Sequence, residues 1–366
     1  MTSTSKLTSW QKKQAALLYF FASYNYLEGL YERIHQLQDF ADGILDKSRL
    51  EGRDRFLRDA RWGNRDTSEN WENNAWSFLR DFGLSTMRAM ADRKLQIYRI
   101  TGANQCARGM AEYSMQWTTV EEQKTFDDML GLVVRYAMYI DKTMDRSHRA
   151  GRWCDFDFTV TWAKNFAHFI NFPKFMIRED IVGETGKIPP KTGVYMSTDH
   201  PDGSLQFAWN GDEYGILREC SIFNILGKNA LATVGRSKLW VDGDAMLGFV
   251  QQNLNSPELL DDGYFTKSHT PVLAPSLVAR NAFTSAPSKW CYVELVEGEF
   301  EKLEDEADPL TFIQQRFEAG EECTMNGFYF TPASSDSRRY LHAGEMFPAL
   351  DSAYGKTIWQ WDQFQN

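Results

Sequence analysis

Proline is absent from the first 172 of the 366 residues, and all eleven prolines lie at Pro173 or beyond. A long stretch without this helix breaker excludes a loop-rich or proline-punctuated first half and favours helices there. Cysteine is sparse as well. Cys106, Cys154, Cys220, Cys291 and Cys323 are odd in number, widely spread and without a CxxC pair, which argues against a disulfide framework or a thiolate zinc site and points to a reducing compartment. The longest near-continuous apolar run, Ala15 to Ala22, is eight residues, where a membrane helix needs about 20. No span is expected. The opening MTSTSKLTSWQKKQ lacks the basic, apolar and small-residue succession of a secretory signal, so the cytosol is the expected location.

Catalytic and cofactor motifs are missing too. The chain has no GxGxxG after a strand, no GxxxxGK[ST], no HExxH, no GxSxG and no EF-hand loop. Its six histidines (His35, His148, His168, His200, His269 and His342) stand far apart, and none pairs with a second His or Cys at ligand spacing. No metal and no cofactor is expected. Forty basic against fifty acidic residues give a net charge of −10, which argues against direct nucleic-acid binding or an anionic membrane and makes any charged partner a basic one.

What is present divides near residue 172. Residues 1–172 carry 24 Lys/Arg and 22 Asp/Glu, whereas 173–366 carry 16 and 28, so the second half holds the acidity. In the first half, Thr8 or Ser9 caps a helix expected to run to about Asp46, with apolar residues three and four apart. Asp66 and Glu69 have capping-box spacing and open a helix towards about Ile100, Thr119 and Glu122 repeat the signal, and a further helix is expected from about Phe158 to Ile170. A bundle of about four helices follows. Six arginines from Arg49 to Arg65 interleave with Asp and Glu, which reads as a solvated face with local ion pairs.

The Pro/Gly-rich stretch 173–192 reads as a connection, and 193–366 as an acidic α+β domain with short antiparallel strands. GVYMS and LQFAW flank the turn TDHPDG as a hairpin, residues 221–233 and 243–254 read as short helices, KWCYVELVEGEF as a strand, NGFYFTP and RRYLHAG as a second hairpin, and TIWQWDQ as a terminal strand. The fold class is therefore α+β, an N-terminal helical bundle followed by a mixed half. GVYMST (193–198) and GFYFTP (327–332) are similar over six residues, weak evidence for duplication that coincidence of strand composition explains at least as well.

Two features suit binding. ELVEGEFEKLEDEADP, from Glu294, has eight carboxylates against Lys302 alone; Glu297, Glu299, Glu301, Glu304, Asp305 and Glu306 are its candidates for steering a basic partner, against a merely solvated loop. Glu258, Asp261, Asp262, Glu321 and Glu322 add to the field, and Asp199 and Asp202 of the STDHPDG loop join the candidate set. Twelve tryptophans also exceed ordinary usage; most belong in cores, leaving two or three for a partner. Among single residues, His200 beside Asp199 and Asp202 is a possible general base, more readily a solvated loop histidine, and Cys220 and Cys291 are more readily buried hydrophobes than nucleophiles.

Long phrases across the chain resemble bacterial polymorphic-toxin immunity proteins of the immunity protein 72 and immunity protein 71 families. They are ASYNYLEGLYERIHQLQDF, PPKTGVYMSTDHPDGSLQFAWNG, FNILGKNALATVGRSKLWVDGDAM, GFYFTPASSDSRRYLHAGEMFP and YGKTIWQWD. The resemblance implies an antidote without catalytic residues, encoded beside a toxin that contact-dependent or type VI secretion delivers between competing bacteria. It leaves the binding surface and the oligomeric state open. A cytosolic antidote implies a cytosolic toxin, and the acidic second half favours a basic one such as a nuclease. Two other readings stand beside it: an enzyme of unknown type with a site between the two halves, and a transcription regulator using 221–254 as a helix-turn-helix, which Asp242 and Asp244 oppose.

Overall fold

Thr8 supplies the first cap: its hydroxyl accepts from Gln11 N–H at 3.1 Å while the Gln11 side-chain oxygen accepts from Thr8 N–H at 3.0 Å. The computed structural model describes residues 6–58, 63–145, 153–303, 316–323, 327–331, 337–342, 344–350 and 357–362. Helix α1 (Ser9–Ala22) stops at Ser23, which is extended (φ −67°, ψ 153°), and the Ser23 hydroxyl caps α2 (Tyr24–Glu51) by accepting from Tyr26 N–H at 3.1 Å. The single helix expected from residue 8 to 46 is thus two. The reason is local: a serine hydroxyl that bonds the backbone ahead of it ends one helix and starts the next. Gly52, at φ 61°, closes α2 in the left-handed region.

Similar corrections apply further on. Thr67, not Asp66, caps α3 (Ser68–Asn74), and Asp54 adds its charge to that of Glu69 in the first turn, accepting from Ser68 N–H at 2.7 Å and Glu69 N–H at 3.1 Å. α4 (Trp76–Arg93) ends short of Ile100, and α5 (Ala103–Met110) is a further helix that the expected set does not contain, its two turns burying Ala103, Cys106, Gly109 and Met110. α6 (Val120–Thr143) begins with the expected Thr119–Glu122 box. Leu17, Phe21, Leu30, Ile34, Leu79, Phe82, Phe126, Val133 and Ile140 of these helices are buried together on the apolar stripes, each contributing about 1.5–3 kcal/mol.

Glu122 does more than cap. It accepts from Arg53 Nη1 at 2.6 Å and Lys47 Nζ at 2.8 Å, and the Arg53 hydrogen bond first of all lowers its pKa to about 2. A carboxylate whose folded pKa lies below its unfolded one stabilises fully above the unfolded value, and the gain is lost as pH falls through the folded value. Glu122→Gln therefore should be less stable than wild type near neutral pH, with the difference closing between about pH 4.5 and pH 2. Thermal unfolding of both proteins across that range measures it.

The chain divides into two compact units, each discontinuous in sequence: residues 1–154, 174–222 and 285–298 form one, and 155–173, 223–284 and 299–366 the other. These units cut across the boundary read at 172 from proline and charge. α7 (Asp155–Asn165) belongs to the second unit rather than to the helices before it. The stretch 173–192, read as a connection, contains strand β1 (Pro173–Glu184), with Pro173 at the first position, where a missing N–H is tolerated. Composition reports proline content; it does not report pairing partners distant in sequence.

In the first unit, β2 (Gly193–Ser197) and β3 (Gln206–Ala208) form the expected hairpin, with Gly193 opposite Ala208 and Tyr195 opposite Gln206. β4 (Cys220–Phe223) and β5 (Phe283–Ala286) make a separate two-stranded ladder. β6 (Lys289–Phe300) lies between β1 and β2, giving the order β1-β6-β2-β3. Tyr195, Ala208, Leu217, Cys220, Trp290 and Tyr292 are buried together against this sheet. Helix α1 packs on β2 and β3, with Gln14 Oε1 accepting from Leu205 N–H at 3.0 Å and Tyr19 donating to the Val293 carbonyl at 2.6 Å.

The second unit has a helical core and its own sheet. α8 (Ile225–Val234), α9 (Gly243–Gln252), α10 (Pro257–Leu260) and α11 (Ala274–Asn281) bury Leu226, Trp240, Met246, Phe249, Leu277 and Val278. β7 (Arg316–Glu318), β8 (Gly327–Phe330), β9 (Arg339–Leu341) and β10 (Ile358–Trp361) take the order β7-β10-β8-β9. Trp359 is buried there with Phe317, Tyr329 and Phe347. The architecture is α+β, with antiparallel pairing in both hairpins. No helix among the described residues is long and apolar enough to cross a membrane.

Candidate partner-binding surface

β6 starts inside the sheet and ends outside it. Trp290 to Val293 are buried, Glu294 to Val296 are partly covered, and Glu297 to Phe300 are exposed. Between Glu297 and Glu299, Gly298 takes a left-handed φ of 75°, which interrupts the regular alternation of the strand. Glu301 follows, half-buried, its N–H bonded to the Phe172 carbonyl at 2.9 Å. Glu304, Asp305 and Glu306 lie outside the described residues. Glu294 leaves the acidic field: it accepts from Lys191 Nζ at 3.0 Å and Arg178 Nη1 at 2.9 Å, and these bonds hold its pKa below the ordinary carboxylate value.

Asp199 and Asp202 are not brought to those residues. Asp199 accepts from Lys289 N–H at 2.8 Å, and that backbone bond leads the lowering of its pKa. Glu297 lies eight residues further along the same strand, about 26 Å away at the usual rise. Asp199 thus fastens the β2–β3 loop to β6, while Asp202 is exposed at the loop tip. His200 is held by its N–H to Ser197 Oγ at 2.9 Å, with Nε2 3.3 Å from the Pro287 carbonyl, a main-chain oxygen rather than the carboxylate expected beside a general base.

The thiols point away from nucleophilic chemistry as well. Burial pushes the pKa of Cys106 and Cys220 up to about 12 and raises that of Cys291, so these sulfurs stay protonated near neutral pH. A cavity lined by Thr143, Trp153, Ser204, Gln206, Ser221 and Trp290 has a volume of about 20 Å³, room for one water. Among the described residues, no group of three His, Cys, Asp or Glu side chains is placed to hold a metal ion.

One exposed feature escaped the sequence. Leu260, at the end of α10, and Tyr264, Val272 and Leu273, between α10 and α11, are 51%, 79%, 71% and 54% exposed. Asp262 fixes this loop: it accepts from Tyr264 N–H at 2.8 Å, Asn281 Nδ2 at 2.8 Å and Arg280 Nε at 3.1 Å, and the Arg280 guanidinium lies 5.1 Å from the Tyr264 ring centre. The Asn281 bond leads the lowering of the Asp262 pKa. Asp262 is therefore spent on its own loop, whereas Asp261 beside it is exposed. No periodicity marks DDGYFTKSHTPVL; its apolar residues following turn formers were the only signal.

The helix pair α8 and α9 carries a charge unsuited to DNA. Asp242 caps α9 by accepting from Ala245 N–H at 2.9 Å, and Asp244 adds a second carboxylate in the first turn, so the helix end that phosphate would approach is already negative. Comparison with family models, with curated proteins and with solved structures finds no match.

Proposed function

We propose that this chain is an immunity protein that neutralises a cognate secreted antibacterial toxin by stoichiometric binding, the toxin being basic, acting in the cytosol and most simply a nuclease. The class rests on the resemblance of long phrases of the sequence to the immunity protein 72 and immunity protein 71 families. The observation that carries the binding mode is the end of β6, where Glu297 and Glu299 stand exposed on a strand whose other end is anchored in the sheet. A fixed carboxylate pair at a surface edge attracts a basic domain before contact, which raises association rate more than final affinity. Cells expressing the toxin domain encoded beside this gene should survive only with this protein co-expressed. Death of cells that contain the folded antidote would refute the reading.

The charge argument has its own expected result. Changing Glu297, Glu299, Glu304 and Glu306 to Gln should slow association with the toxin domain roughly tenfold at low salt, flatten its salt dependence and leave dissociation nearly unchanged. Both rate constants, measured by surface-based kinetics from low to high ionic strength, check this. Association equal to wild type at every salt concentration would leave the segment as a solvated edge.

A further inference from the structure

The two four-stranded sheets share more than size. In β1-β6-β2-β3 and in β7-β10-β8-β9, three strands come in chain order and the fourth inserts between the first and second. The registers agree as well. Gly193 faces Ala208 and Tyr195 faces Gln206, as Gly327 faces Leu341 and Tyr329 faces Arg339. Tyr195 faces Tyr292 and Met196 faces Cys291, as Tyr329 faces Trp361 and Phe330 faces Gln360. Counting along the fourth strands then places Trp290 and Trp359 at one position, and both are fully buried.

The turn after the first strand repeats atom for atom. In Glu184-Thr185-Gly186-Lys187, Thr185 N–H bonds the Ser288 carbonyl at 3.0 Å, Gly186 N–H that of Leu217 at 2.7 Å, Lys187 N–H that of Glu184 at 3.1 Å, and Leu217 N–H that of Lys187 at 2.9 Å. In Glu318-Ala319-Gly320-Glu321 the same four donors act: Ala319 to Thr357 at 2.9 Å, Gly320 to Phe347 at 2.8 Å, Glu321 to Glu318 at 3.0 Å, and Phe347 to Glu321 at 2.9 Å. Gly186 and Gly320 have φ +84° and +92°, which a side chain disfavours. Leu217 and Phe347 fill equivalent places in the two sheet cores. Shared strand order alone arises readily among small sheets. It does not dictate a left-handed glycine held by the same four main-chain bonds.

We infer that the chain contains two copies of one β unit, and that helices α8 to α11 are an insertion between the third and fourth strands of the first copy. That interval runs from Trp209 to Ser288 in the first copy and only from His342 to Thr357 in the second, whose described residues contain no helix. Glu184, Gly186, Gly193 and Tyr195 correspond to Glu318, Gly320, Gly327 and Tyr329 at one constant spacing, so the six-residue similarity of GVYMST and GFYFTP is the visible part of the repeat.

Exchange of strands tests it in the full chain. Replacing residues 357–362, TIWQWD, by residues 288–293, SKWCYV, keeps the tryptophan in register and should preserve amide protection at Tyr329 and Phe330. The same insert shifted by one residue should lose it, because a one-residue slip turns every side chain to the other face. Loss of protection in both chimeras, or its retention in both, overturns the inference. A milder pair keeps the claim falsifiable without a chimera: Gly186→Ala and Gly320→Ala should lower amide protection at Leu217 and at Phe347 respectively, each in its own sheet and to a similar degree. A Gly320→Ala protein with wild-type protection at Phe347 would also overturn it.

Discussion

Asp155→Ala should lower the unfolding free energy by about 3 kcal/mol, read from urea denaturation. Asp155 stands at the start of α7 with its side chain 5% exposed, and its two oxygens accept from Arg236 Nη2 at 2.9 and 2.8 Å and from Trp240 Nε1 at 2.7 Å. Removing the carboxylate leaves a buried indole N–H without this acceptor and takes two charge-assisted bonds from the Arg236 guanidinium. Arg236 is about one-third exposed, so water recovers part of the second loss. Asp155→Asn retains an acceptor for Trp240 and should cost less, about 1–2 kcal/mol. Equal losses for Ala and Asn would assign the effect to charge alone. The Trp240 ring packs on Phe156, Phe223 and Phe283, so the damage should spread into this helical core.

Gly215→Ala should be comparably damaging for a steric reason. A Cβ at Gly215 would lie 1.9 Å from the Trp209 carbonyl oxygen and 2.6 Å from its indole carbon, where real contacts stay above 3.0 Å. The backbone must then give way, and it is held: Trp209 N–H bonds the Gly215 carbonyl at 3.1 Å and Trp209 Nε1 bonds Asp212 Oδ1 at 2.8 Å. Trp209 is itself buried against Tyr98 and Phe207. A loss of about 3 kcal/mol is expected, seen as a lower thermal midpoint. Gly248→Ala is the control. Gly248 lies within α9 with open space around the added methyl, so alanine there should stabilise by up to about 1 kcal/mol. Equal destabilisation of the two variants would contradict the steric account.

Local signals are legible where neighbours in sequence make the structure. Thr119 and Glu122 gave the start of α6, and GVYMS with LQFAW gave the first hairpin, because capping and tight pairing involve residues a few positions apart. Ser23 was missed for the opposite reason: the apolar stripe continues through it, and a period of three and four does not register a single capping hydroxyl. The candidate carboxylates divide similarly. Glu297 and Glu299 are exposed as their charge run suggested, but nothing in ELVEGEFEKLEDEADP reveals that Lys191 and Arg178 neutralise Glu294.

By itself, the sequence determined the α+β class, the helical character of the first half, most strand positions and the acidity of the second half, since composition and short-range periodicity carry all of these. Only the tertiary structure decided which strand lies beside which. β6 joins β1 and β2 across about a hundred residues, and a pairing that distant depends on register and burial that no local pattern encodes. The interleaving of the two units, the spending of Asp262 and Asp199 on their own loops, and the matching turns at Gly186 and Gly320 have the same origin. Each is a main-chain or side-chain bond between residues that are neighbours only after the chain has folded.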